Sequence, residues 1–382
     1  MARMSKHSVR QNNEKNVLQA VINDGPIARS QVAKALKLNK VTVSDIFSQL
    51  LDEGYLEVVG SGEGSQAGGR KPTLHRFNPH YGYVISFDLG FHATDMMVTT
   101  LTGQVLHSAN FWGEGAPIAE RLAFMVQQVQ AFQEASAGQT LHGLLGVAIG
   151  VHGIVNHNQV VDSPFMALDG IELAPYFEQA LAVPVVLENE ANLAALYARD
   201  FTELAAAQQD LVALSIHKGI GAGVVIDGQL FRGANGGAGE VGRALAPNDQ
   251  GQLVKIETLC SEDAVLAQLA TVYGHALKAE EIASLTKTAT PAVQAVLAQF
   301  VMRLTLVIHN LVASYDPKIV VINSQLIAAN PDLLTDLTRA LTAAGHAVPL
   351  TLGEAGEHAI TLGGTTLIVH QVLGLGSRQL HF

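Results

Sequence analysis

The stretch VPVVLENEANLAAL, residues 183–196, decides how the body of this chain is read. A β-branched apolar run ends at Leu187, and the pattern then changes from extended to helical spacing. A strand passing into a helix through so short a joint is the repeating unit of α/β proteins. The joint carries two carboxylates, Glu188 and Glu190, and two carboxamides, Asn189 and Asn192. Such a cluster can hold a polyhydroxylated ligand or perform acid/base chemistry. Acids also favour helix N-termini for local reasons, so Glu190 has a purely structural reading as well.

Outward from the joint the same alternation continues. YVISFDLGFHATDMMVTTLTGQVLHS, residues 83–108, reads as three strands with turns at Gly90 and at Thr102-Gly103. LLGVAIGVHGIV, residues 144–155, is a strand entering a Gly-bearing loop. DLVALSIHKGIGAGVVIDGQLFRGANGGAGEVG, residues 210–242, is strand, Gly-rich turn, strand and a loop with five glycines. PKIVVINSQL, residues 317–326, supplies a late strand. The body is therefore expected in the α/β class.

The first eighty residues read differently. Val17, Leu18, Val21 and Ile22 share one helical face over residues 9–22, before Gly25-Pro26. A second helix is expected from Ser30 as N-cap, with Val32, Ala35 and Leu36 inward. A third starts near Asn39 and carries Val43, Ile46, Phe47 and Leu50 inward as far as Gly54. Two strand-like runs, YLEVVG and TLHRF, flank the Gly-rich SGEGSQAGGRKP. Three helices and a basic-tipped hairpin make a winged helix-turn-helix, whose third helix enters the major groove. Its outward Asn39, Lys40, Thr42 and Ser44 are the candidate DNA contacts, with Arg70 and Lys71 at the wing tip reaching a minor groove. A small helical domain docking another protein is the alternative.

Charge follows the same division. Residues 1–79 hold 11 Lys/Arg against 7 Asp/Glu, a balance of +4, while the whole chain carries −11. A basic head on an acidic body points to phosphate contacts at the head alone. No run of 18 uninterrupted apolar residues indicates a membrane span, and the first residues lack the apolar core of a secretory signal. The lone Cys260 excludes an internal disulfide, and a reducing cytoplasm is the expected setting. At 382 residues two or three domains are expected.

Five ordered motifs, FDLG, ENEAN, GIGAG, RGANGGAGEVG and the winged head, together resemble the ROK family of repressors, open reading frames and kinases. ENEAN is most similar to the xylose-type repressors within it. The resemblance covers essentially the whole chain. It implies a winged helix-turn-helix over residues 1–79 and an actin/hexokinase-like (ribonuclease H-like) body over 80–382, two-lobed, with the sugar in a cleft near 150–260. Site residues carried over are Asn189, Glu190, Glu240, Glu257, Gly153 and His152, with Arg243 at the position of a histidine that normally touches the sugar.

The family's kinases use an Asp in an NDAN-like motif as general base; Glu190 stands there. One extra methylene displaces the carboxylate by roughly 1.5 Å, and misplacement of that size costs on the order of a hundredfold in rate. The phosphate-facing turns depart further. DLGFHAT keeps Asp88 and Gly90 but places Phe91 and His92 where kinases have small residues. HKGIG replaces a Gly-Thr pair with His217 and Lys218, and VINSQL puts Asn323 and Ser324 where a Gly pair is usual. ATP use is expected to be lost, with no catalytic residues and no cofactor. The family's usual zinc set is absent too. Arg243 replaces its histidine, NDQGQLVKI covers its cysteine run with Lys255 at the last position, and Cys260 reads as a core thiol. No metal is expected, and Arg243 and Lys255 are expected to pair with Glu240 or Glu257.

The expectation is a cytoplasmic, sugar-responsive transcriptional repressor of xylose or other sugar utilisation genes. Its partners would be double-stranded operator DNA and a sugar, and it would be a homodimer or dimer of dimers with no membrane attachment. The alternative is a ROK sugar kinase with an appended DNA-binding head.

Overall fold

The structure, a computed structural model, is described for residues 6–62, 71–113, 115–202, 209–287, 289–354 and 356–382. The chain divides into two compact units. The first comprises Met1–Ile149, Phe165–Leu187 and Gly364–Phe382; the second comprises Gly150–Pro164 and Glu188–Gly363.

The head belongs to the first unit. Its helices are α1 (Lys6–Asp24), α2 (Arg29–Ala35) and α3 (Lys40–Asp52). The third is placed as expected, with Asn39 capping it by accepting from the Val41 N–H at 2.9 Å and Val43, Ile46, Phe47 and Leu50 buried. The second begins two residues earlier than an N-cap at Ser30 would imply. Its N-cap is Ala28, whose N–H donates to Gln31 Oε1 at 2.9 Å, so the cap is supplied from inside the helix. A strand too short to read from its own two residues, β1 (Ile27–Ala28), joins β2 (Leu56–Ser61) and β3 (Thr73–Phe77) in a sheet ordered β1-β3-β2. The wing tip, Arg70 included, lies outside the described residues.

The head is packed into the rest of its unit rather than tethered to it. Tyr55 stacks on Tyr81 at 4.3 Å, and Tyr81 meets His142 at 4.5 Å. Segment 373–382 then binds α1 along its length. Arg378 donates to Asn12 and Asn16 at 2.6 and 3.0 Å. Gln19 and Asn23 donate to the Gln379 carbonyl at 2.7 and 3.2 Å. Leu375 and Leu380 are fully buried in the cluster that holds Val17, Val21 and Phe47.

The first unit's larger sheet contains β4 (Tyr83–Leu89), β5 (Ala93–Thr100), β6 (Val105–Trp112), β7 (Leu144–Val151) and β10 (Val185–Asn189) in the order β10-β7-β4-β5-β6. All seven residues of β4 are buried, which is why its sequence is apolar without alternation. Helices α4 (Ile118–Ala135) and α5 (Leu173–Leu181) belong to this unit.

The second unit holds β11 (Leu211–Ile216), β12 (Ile220–Ile226), β13 (Gln229–Leu230), β16 (Ile319–Asn323) and β17 (Leu350–Leu352), ordered β13-β12-β11-β16-β17. Two hairpins accompany it, β8 (Ile154–Asn156) with β9 (Gln159–Asp162) and β14 (Leu245–Pro247) with β15 (Leu253–Lys255). Helix α6 (Glu190–Phe201) packs on β11 and β12. Further along come α7 (Glu257–Cys260), α8 (Glu262–Tyr273), α9 (Pro291–Tyr315), α10 (Gln325–Ala329), α11 (Asp332–Ala343) and α12 (Ala359–Val372). Helix α9 is long and apolar enough to cross a membrane by length and composition, yet it buries Leu297, Phe300, Leu304 and Ile308 in the unit's core. His309 contacts His346 at 2.8 Å and His370 is buried, as packing residues would be.

Leu380→Ala is expected to cost about 2–5 kcal/mol through the cavity it leaves. The loss should appear as a lower denaturant midpoint and as faster amide exchange in α1. Unchanged exchange in α1 would mean that segment 373–382 does not hold the head.

Candidate functional site

The second unit gathers the expected sugar-site residues around the start of β12. Glycines set this up. A Cβ on Gly223 would lie 2.2 Å from the Ala191 carbonyl oxygen, and one on Gly221 would sit 3.1 Å from Ala191 and 3.3 Å from Glu190 Oε1. The GIGAG run therefore lets the first turn of α6 lie directly on the strand. Gly239 shows the same close approach, its backbone lying on the Ala222 carbonyl with φ +85°, and the Ala222 N–H donates to Gly239 O at 2.8 Å. Gly236 packs on the Val155 carbonyl of β8 and Gly153 on that of Asp162 in β9. Loop 232–242, the β8–β9 hairpin and the α6 N-terminus are thus drawn to one place.

Hydrogen bonds fix the side chains within this frame. Asn189 is the N-cap of α6, accepting from the Ala191 and Asn192 N–H groups at 2.9 and 3.1 Å and donating to Gly153 O at 2.9 Å. Its carboxamide holds the backbone of two loops. Glu190 opens the helix with its carboxylate beside Gly221. His152 is half-buried next to Gly153.

Glu188 is buried and receives three donors. They are its neighbour's N–H at 2.9 Å, Asn192 Nδ2 at 2.9 Å and Arg232 Nε at 2.6 Å. Arg232, from the glycine loop, is a participant that the sequence reading missed. A basic residue opening a glycine-rich run was its only signal.

Arg243 sits among three carboxylates. Its Nε lies 2.6 Å from Glu240 and its Nη2 donates to Asp162 at 2.6 Å. Lys255 lies 3.7 Å from Glu257. Arg243 and Lys255 thus find the acids expected of them. A Cβ on Gly242 would meet Glu257 Oε2 at 2.6 Å, which puts that carboxylate against the Arg243 turn. Burial raises the Glu240 carboxyl above its usual range; Arg243 opposes the shift, while Glu257 and Asp162 add to it. Asp162 was also missed, being 81 residues from its partner. Among the described residues no group of three or more His, Cys, Asp or Glu could hold a metal ion. Cys260 is buried, and burial pushes its thiol up to about 12.

The DLGFHAT, HKGIG and VINSQL turns each bond to other protein groups. In the first unit, Arg121 donates to Gly90 O at 2.8 Å, Ala93 O at 3.2 Å and Thr94 Oγ1 at 2.6 Å, and Phe91 and His92 pack edge to face. In the second unit, the Glu262 N–H donates to His217 O at 2.9 Å. The Glu262 carboxylate accepts from Ser324 Oγ and from the Leu326 N–H at 3.0 Å. One residue therefore ties the HKGIG turn to the VINSQL turn. Burial raises its carboxyl above the usual range, against the pull of these hydrogen bonds.

In the head, Lys40 is exposed at the start of α3, and Thr42 and Ser44 are half-buried on the same helix. Asn39 is exposed but spends its side-chain oxygen on the cap. Lys71 is exposed just before β3.

The ROK family model matches residues 84–370, and the chain belongs to this family. Among curated relatives, the xylose repressor of Lactiplantibacillus pentosus is 36% identical over 99% of this chain and 98% of its own. Among solved structures, a ROK family transcriptional regulator described as a homologue of the E. coli MLC protein superposes with a TM-score of 0.80 at 21% identity. That match covers 96% of this chain and 97% of the regulator. The ROK hexokinase of Thermus thermophilus gives 0.61 at 22%, covering 74% of this chain and 97% of the enzyme. Body and head are thus shared with a regulator's fold, and a hexokinase shares most of the chain.

Arg232→Ala is expected to cost about 1–3 kcal/mol, since it leaves Glu188 buried with one donor fewer. The figure is held to that range because the Arg232 side chain is 45% exposed. Limited proteolysis should then cut within loop 232–242. Full resistance there would show that the ion pair does not hold the loop. Glu262 gives a pH signature. Its folded carboxyl binds a proton more tightly than the unfolded one, so its contribution worsens as pH climbs through and above the ordinary carboxylate range. Glu262→Gln keeps an acceptor for Ser324 and Leu326 and should flatten that slope in urea titrations. Parallel pH profiles for the two proteins would contradict the assignment.

Proposed function

We propose that this chain is a sugar-responsive repressor in which the second unit binds the sugar and the head binds operator DNA. The observation that carries the reading is the carboxylate set Glu190, Glu240 and Glu257 along the start of β12, in a chain whose head has three helices and a three-stranded sheet. Carboxylates accept paired hydroxyls through charge-assisted bonds. Asn189, Gly153 and His152 shape the edge of the site, and Arg243 holds Glu240 in place from Asp162. The relative named a xylose repressor makes xylose the first sugar to test, ahead of glucose and N-acetylglucosamine. Helix α3, through Lys40, Thr42 and Ser44, reads the major groove, with Asn39 capping it and Lys71 beside the wing; Arg70 would extend this at the tip. A symmetric dimer would place two heads on a palindrome.

Non-enzymatic action is supported by the phosphate turns. Anion-facing backbone is taken by Glu262 at one turn, and the first turn is laced by Arg121. Sugar kinase activity is the second reading, favoured by the carboxylate of Glu190 at the general-base position.

A thermal-shift panel of sugars with and without Mg-ATP separates the two. The bound sugar at a hundred times its Kd should stabilise the chain by about 2.7 kcal/mol. Mg-ATP should add nothing, and Glu190→Gln should abolish the sugar shift while leaving DNA binding intact. Coupling is reciprocal, so the same sugar must change operator affinity by the factor by which operator changes sugar affinity. Phosphorylated sugar among the products would sink the repressor-only reading.

A further inference from the structure

The head carries a second basic feature, away from the outward face of α3. β1 pairs with β3 in a register that sets Ile27 opposite His75 and Ala28 opposite Leu74. The first residues of α2, Arg29 and Ser30, follow directly on β1 and line one cavity with Lys71, Pro72 and Thr73. A cavity of about 510 Å³ opens there, lined by Arg29, Ser30, Lys71, Thr73 and His75 among others, and among the described residues no carboxylate lines it. That is notable in a chain whose net charge is −11. Elsewhere in the head Arg76 is paired with Glu57 at 2.6 Å and Arg10 with Glu14 at 3.0 Å. Arg29 is instead held by an aromatic ring, its guanidinium 5.6 Å from the centre of Phe47, which fixes the side chain without cancelling its charge. His75 is buried, and burial together with the Arg29 charge keeps it neutral. The cavity's positive charge therefore comes from Arg29 and Lys71.

Two cations and two hydroxyls converging on an open cavity match the tetrahedral, singly charged phosphodiester of a nucleic-acid backbone. We propose that Arg29, Ser30, Lys71 and Thr73 form a seat for one backbone phosphate of the DNA duplex, between α2 and the root of the wing. The seat rests on the operator-binding reading and adds to it a contact that positions the head without reading bases. It explains why the wing root is basic where it meets α2. The major-groove residues of α3 would then act on a duplex already held in register.

The test uses the full chain, a short mixed-sequence duplex and a duplex selected by the chain from a random pool. Arg29→Gln and Lys71→Gln should each weaken binding to both duplexes by the same factor. Each should also lower the slope of log affinity against log salt by about 0.9, the value for one lost phosphate contact. Lys71 makes no core contact, so its variant stands if Arg29→Gln unfolds the head, which a melting curve would reveal. Variants that keep the wild-type salt slope would overturn the seat. So would loss confined to the selected duplex, which is the behaviour of a base contact. Inorganic phosphate and a sugar phosphate serve as competitors. Stabilisation by either at low concentration, lost in Arg29→Gln, with duplex binding unchanged, would make the cavity a small-anion site and overturn the proposal. If the wild-type chain binds neither duplex, the operator-binding reading falls first. If it binds and only these variants behave as wild type, the seat alone is lost.

Discussion

A carboxylate taken out of water must be met by donors, and Glu188 is where this chain accepts that constraint. Its partners come from three directions. One is the backbone at the helix start, another is Asn192 one turn into α6, and the third is Arg232 from the glycine loop. Once those donors converge, the positions of Asn189 and Glu190 on either side of the joint follow. Asn189 then carries the constraint on to the β8–β9 hairpin through Gly153. The half-buried Glu190 thus starts its helix from a joint held by a buried acid.

Local features of this architecture are legible in the sequence, and distant ones are not. The inward faces of α1 and α3 follow from periodicity, because the 3.6-residue repeat acts within a few turns. The strand-to-helix joint at 187–190 and the pairing of Arg243 with Glu240 are legible for the same reason, the partners being neighbours. The start of α2 is misjudged by two residues because Gln31 caps from within, where a search for Ser or Asp has nothing to find. Asp162 and Arg232 escape notice because their partners are 81 and 44 residues away. The glycines of GIGAG are ambiguous until α6 is seen lying on them. A turn and a close helix contact ask the same thing of a sequence.

Two residues fasten the turns DLGFHAT, HKGIG and VINSQL. Arg121 fastens the first turn, and Glu262 joins the other two. Arg243 bridges Glu240 and Asp162 across 81 residues of sequence, an ion-pair network that holds the Glu240 carboxylate in place.

The embrace of α1 by segment 373–382 has a consequence for biosynthesis. The first helix leaves the ribosome early, but the groups that satisfy Gln19 and Asn23 are encoded about 360 residues later. Val17 and Val21 meanwhile face a core still missing Leu375 and Leu380. A nascent chain therefore carries an unfinished head until translation has passed through the whole body. An abortive product that stops within the body is denied the completed head.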